Sequence, residues 1–134
     1  MGYRSEVAYV IGFDTVELRE QFIALVTVHD DEYVRNALNE CETKYERPII
    51  TFHAQDVKWY PSYADVQGHY KLREYVVEWF DGKAGWVAQE LGEDGETEYD
   101  TGGIGEDLGL GDYIYVRHSM ELDFPKVLSD VNKE

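Results

Sequence analysis

Apolar positions along the chain change period several times, and each change predicts an element. Residues 7–13 (V-A-Y-V-I-G-F) are apolar on both alternating faces, the mark of a central strand buried on both sides. Asp14-Thr15-Val16-Glu17 matches a capping box, with Asp14 as the cap and Glu17 three residues on. The helix it starts carries Leu18, Phe22 and Leu25 on one face and ends near Val28. Asp30 and Asp31 start a second helix with Tyr33, Val34, Ala37, Leu38 and Cys41 as its apolar face; one bent helix fits the same pattern. Residues 49–53 are β-branched or aromatic and read as a strand, continued past a bulge by Val57 to Tyr60 and stopped by Pro61. Ser62 with Asp65 repeats the capping signature. Residues 63–80 then hold the clearest helical period, through Val66, His69, Tyr70, Arg73, Val76, Val77 and Phe80, before Gly82 as a left-handed stop. Residues 85–91 read as a third strand and 113–122 as a fourth, with a glycine-rich acidic segment between them.

That order predicts an α+β fold, with two or three helices on one face of a mainly antiparallel sheet of about four strands. A split βαβ arrangement followed by a hairpin satisfies the connection rules. Residues 1–125 form one domain and 126–134 a short polar tail.

Charge narrows the classes of function. The 134 residues include 12 Lys and Arg against 28 Asp and Glu, a formal charge of −16. Direct contact with nucleic-acid phosphates or an anionic membrane is disfavoured, because both need a basic surface. The 43% hydrophobic content argues against wholesale disorder. No run reaches the ~18–20 apolar residues of a membrane span. The N-terminus lacks a secretory pattern, and the single cysteine, Cys41, rules out an intrachain disulfide, so the expected compartment is the cytoplasm.

The acid is unevenly placed. Residues 84–116 contain no Lys or Arg but hold Glu90, Glu93, Asp94, Glu96, Glu98, Asp100, Glu106, Asp107 and Asp112, with eight of the 12 glycines. Such a segment projects a strong negative field suited to a basic partner, and it equally describes a solvated loop that aids solubility. The 11 tyrosines add a second signal, since tyrosine offers contact area with a polar tip; Tyr60, Tyr63, Tyr70 and Tyr75 cluster around the second strand and the long helix, and Tyr60 and Tyr63 are candidate anchors of the contact. A core that uses aromatics as filler accounts for the same abundance.

Other chemistry finds no pattern. The calcium-loop spacing is missing, and so are the phosphate-loop and dinucleotide signatures, which leaves Gly102 to Gly105 as loop and turn residues. His29, His53, His69 and His118 form no zinc or triad motif; His53 and His118 fall on predicted strands, where a structural role outweighs catalysis. Cys41 reads as a buried inert thiol. No catalytic residue, metal site or cofactor is assigned.

Three stretches carry a resemblance: Gly2-Tyr3-Arg4-Ser5-Glu6-Val7-Ala8; Asp56-Val57-Lys58-Trp59-Tyr60 with Tyr63-Ala64-Asp65-Val66; and W-V-A-Q-E-L-G-E-D from Trp86 to Asp94. Together they resemble a group of small acidic phage and prophage proteins of uncharacterised function. The resemblance implies a phage setting and supplies no catalytic residues. It points to a non-enzymatic accessory protein, acting in the cytoplasm of an infected bacterial host, that binds and inhibits a basic host or defence protein. That target binds nucleic acid, and the carboxylates mimic its phosphates in the anti-CRISPR or anti-restriction manner. Two other classes stay open: a small-ligand or nucleotide-binding module built around His53, His118 and Trp59, and a phage structural or assembly protein.

Overall fold

Alternating side chains of a central strand select the two faces of the sheet. The computed structural model describes residues 5–43, 46–92, 97–105, 107–108 and 110. Its elements run β1 (Ser5–Phe13), α1 (Val16–Thr27), α2 (Glu32–Asn39), β2 (Ile49–Val57), α3 (Ala64–Trp79), β3 (Ala84–Gly92) and β4 (Thr97–Gly103). One four-stranded sheet has the order β2-β1-β3-β4, with every neighbouring pair antiparallel. The architecture is α+β, as the periodicity predicts. Strands β2 and β3 both oppose β1, so they run parallel to each other, and α3 joins them across it: the split βαβ unit. A β3–β4 hairpin completes the sheet.

The helix-side core comes from every second residue of β1, Val7, Tyr9, Ile11 and Phe13, with Ile50, Phe52, Ala84 and Ala88 beside them. Phe22 and Val26 of α1, Val34 and Leu38 of α2, and Leu72 and Val76 of α3 close over it. Ala8 and Val10 on the opposite face are equally buried, and Leu108 and Leu110 lie against Gly12 there. Each large side chain so removed from water contributes about 1.5–3 kcal/mol. No helix among the described residues is long and apolar enough to cross a membrane.

Several local expectations are corrected. The cap of α1 is Thr15, whose Oγ1 accepts from the Leu18 amide, so Asp14 lies one residue outside. The inward face also differs from the expected one: Arg19, Phe22 and Val26 face inward, and Leu25 is 47% exposed. Two separate helices replace the single bent alternative, because the Asp31 carboxylate caps α2 through the Tyr33 amide. β2 ends at Val57 beside the left-handed Asp56, before Lys58. Ser62 does not cap α3; Tyr63 holds that position with no side-chain bond. β4 lies inside the segment read as loop, and the strand expected at 113–122 lies outside the described residues, as does the 126–134 tail. Thr97-Glu98-Tyr99-Asp100-Thr101 is a strand because its β-formers pair along β3 despite their acidic neighbours.

Candidate binding cleft

The hairpin register brings carboxylates together on the side of the sheet that α3 covers. Glu98 pairs with Glu90, Asp100 with Ala88 and Gly102 with Trp86. Alternation then puts Trp86, Ala88, Glu90, Glu98 and Asp100 on one face. With Tyr70, Arg73 and Glu74 of α3 they line a cleft of about 320 Å³. A neighbouring hollow of about 220 Å³, lined by Ser5, Trp59, Pro61 and Gly92, shares Tyr70, Glu90 and Glu98 with it, which makes one groove from Pro61 to Asp100. Gly102 lets the hairpin close: a Cβ there would lie 2.4 Å from the Trp86 indole nitrogen.

Arg73 forms part of the cleft wall. The residue is 2% exposed, and its guanidinium carbon stands 4.8 Å from the ring centres of Tyr9, Tyr70 and Trp86. Its Nε makes one long bond, 3.4 Å, to the His69 carbonyl, and its Nη2 has no hydrogen-bond partner. Among the described residues no carboxylate pairs with it at ion-pair distance. Three cation–π contacts contribute about 0.5–2 kcal/mol each, against a desolvation penalty of several kcal/mol for a buried ion. The aromatic box therefore offsets much of the charge but leaves a donor unmet. Burial also pulls the Arg73 pKa below its ordinary value, opposed by Tyr9, Tyr70, Glu90 and Asp100.

Glu90 is held rather than paired. The Trp59 indole donates to the Tyr70 hydroxyl at 3.2 Å, and that hydroxyl donates to Glu90 Oε2 at 3.2 Å. Burial raises the Glu90 pKa, and the facing Glu98 raises it further, against the Tyr70 bond and the Arg73 charge. Two like charges directly opposite across a strand pair are destabilising.

Next to Arg73, at the Tyr9 ring it covers, a polar chain runs inward from the exposed Glu40. Glu40 is an acceptor only, so His69 Nε2 donates to it at 2.9 Å, and His69 Nδ1 accepts from the Tyr9 hydroxyl at 2.7 Å. Cys41 Sγ lies 3.4 Å from that hydroxyl and 3.3 Å from the Ala37 carbonyl. Burial lowers the His69 pKa and pushes the Cys41 thiol up to about 12. A thiol that high is a packing residue at neutral pH.

Of the candidate partner-binding residues, Glu90, Glu98 and Asp100 share the cleft. Tyr60 and Tyr63 stack edge to face at 5.2 Å and flank Pro61 in the chain, but neither lines the groove itself. Asp107 does not join them: it follows β4 next to Leu108, at the Gly12–Gly85 end of the sheet, about 17 Å from Glu90 along β3. Glu93, Asp94, Glu96, Glu106 and Asp112 lie outside the described residues. The pocket expected around His53, His118 and Trp59 is corrected. His53 is on the sheet face opposite Phe52, within 3.7 Å of Glu6, whereas Trp59 packs on Phe52 and His69; His118 is not among the described residues. Sequence reasoning missed Arg73 and Trp86 as site residues. The signal was an arginine in the apolar row of α3, a position where a charge needs a reason.

No protein-family model, curated protein or solved structure matches the chain. The functional argument therefore rests on the geometry of this cleft.

Proposed function

We propose that the protein is a non-enzymatic binding protein that docks its acidic groove onto a basic partner. One observation carries the reading: Glu90, Glu98 and Asp100 stand side by side at an open groove, and among the described residues none forms an ion pair with a Lys or Arg. A fold that served stability alone has no use for Glu98 opposite Glu90. A Lys- or Arg-rich surface would relieve that repulsion on docking, and the exposed Tyr63 with its neighbour Tyr60, next in the chain to the groove residue Pro61, would add anchoring area. The overall charge of −16 steers such a partner in. The partner fitting this chemistry best is a nucleic-acid-binding protein whose phosphate groove the carboxylates occupy. In the phage setting that the resemblance implies, it is a host or defence protein held inactive.

The test is capture on immobilised protein from nuclease-treated bacterial lysate, at about 0.1 M and then about 1 M salt, where screening shortens from ~10 to ~3 Å. The paired column carries the Glu98→Gln/Asp100→Asn variant. A nucleic-acid-binding protein held by the wild type at low salt, released at high salt and lost from the variant supports the reading. Retention that neither salt nor the variant changes overturns it.

A further inference from the structure

The cleft holds both signs of charge, and that combination selects a ligand. We propose that it binds a small zwitterion of the basic amino-acid class, with a carboxylate on Arg73 and the cationic groups among Glu90, Glu98 and Asp100. This goes beyond docking to a macromolecule. Arg73 is buried, lines the cleft and has an Nη2 with no acceptor. Nη2 itself is enclosed, but a buried guanidinium that lines the cleft with no carboxylate at ion-pair distance is costly, and a carboxylate reaching Arg73 from the cleft relieves that cost. A plain anion would meet three carboxylates across the cleft; a plain amine would leave Arg73 unsatisfied and repel it. A compound carrying both groups satisfies each. The cleft's formal balance, one Arg against Glu74, Glu90, Glu98 and Asp100, favours a ligand with surplus positive charge. Its volume of about 320 Å³ lies at the small end of ligand pockets, and Ala88, Trp86 and Tyr70 offer apolar wall to an aliphatic stem. The same chemistry occurs in a free basic amino acid and at the basic C-terminus of a peptide.

Titration calorimetry on the whole chain tests this with L-arginine and L-lysine, their decarboxylated amines agmatine and cadaverine, and a short peptide ending in arginine. Following the Trp86 indole resonance places the site. Binding of an amino acid or of the peptide, with about tenfold or greater loss for the matching amine, supports the proposal; which of the two binds more tightly identifies the source. The Glu98→Gln/Asp100→Asn variant alters only exposed side chains of β4, and it loses about tenfold as well. Arg73→Lys keeps the charge but not the fork and weakens the carboxylate contact. No binding by any of the five compounds overturns the proposal, and so does agmatine binding as tightly as arginine. Partner capture is measured separately from lysate, so either idea can fail while the other stands.

Discussion

At the scale of single residues, the site is governed by groups held away from their ordinary ionisation. His69 is neutral in the fold because burial depresses its pKa below 6.5, even with Glu40 on one nitrogen and Tyr9 on the other; Arg73 adds to the depression, and Asp65 opposes it. The unfolded chain therefore takes up a proton first as pH falls. His69 contributes stability that is complete above about pH 6.5 and is lost as pH drops through its folded pKa. Denaturant unfolding of the wild type and of His69→Gln should show a stability gap that narrows from pH 7.5 to 5.5; a constant gap would mean that His69 is not held neutral. Glu90 runs the other way. Its folded pKa lies above 4.5, so its contribution falls as pH rises through that window. Glu98→Gln removes the charge opposite it, and the Glu90 carboxyl should then titrate at lower pH by NMR; an unmoved titration would separate the two side chains.

Elements explain why these residues meet. The period of α3 was legible in the sequence, and with it the inward row of Val66, His69, Arg73 and Val76. So was the central place of β1, whose apolar residues on both faces have no other solution. The hairpin was not legible, because the acid and glycine of residues 84–116 resemble a loop, and only pairing against β3 makes residues 97–103 a strand. The cleft was hidden with it: Glu90, Glu98 and Asp100 are apart in sequence on two strands, and their common face follows from register. Arg73 was visible as a helix-face residue, but its aromatic box needs Tyr9 and Trp86 from two different strands. Helix packing leaves its own mark at Gly68, where a Cβ would stand 2.4 Å from the Tyr33 carbonyl oxygen of α2. Gly68→Ala should thus destabilise by about 1–3 kcal/mol in denaturant unfolding, although alanine is the better helix former by about 1 kcal/mol. A stabilised variant would show that the two helices are not in close backbone contact.

For the whole molecule, 28 acidic against 12 basic residues set both a liability and a use. Self-repulsion opposes the folded state, and added salt screens it. The melting temperature should rise between low salt and about 0.5 M sodium chloride, where the Debye length has fallen to a few ångströms; a flat response would mean that the charges are already compensated. The use is attraction of a basic partner, and there salt acts in the opposite sense, weakening association as it strengthens the fold. The central claim is that the acidic groove along β3 and β4 makes that contact. The most direct test is the association rate of the captured partner, measured for the wild type and for Glu98→Gln/Asp100→Asn with and without competing duplex DNA. The account predicts a slower on-rate for the variant, a salt-dependent on-rate for the wild type, and displacement by the duplex. Equal rates for both proteins, untouched by DNA, would contradict it.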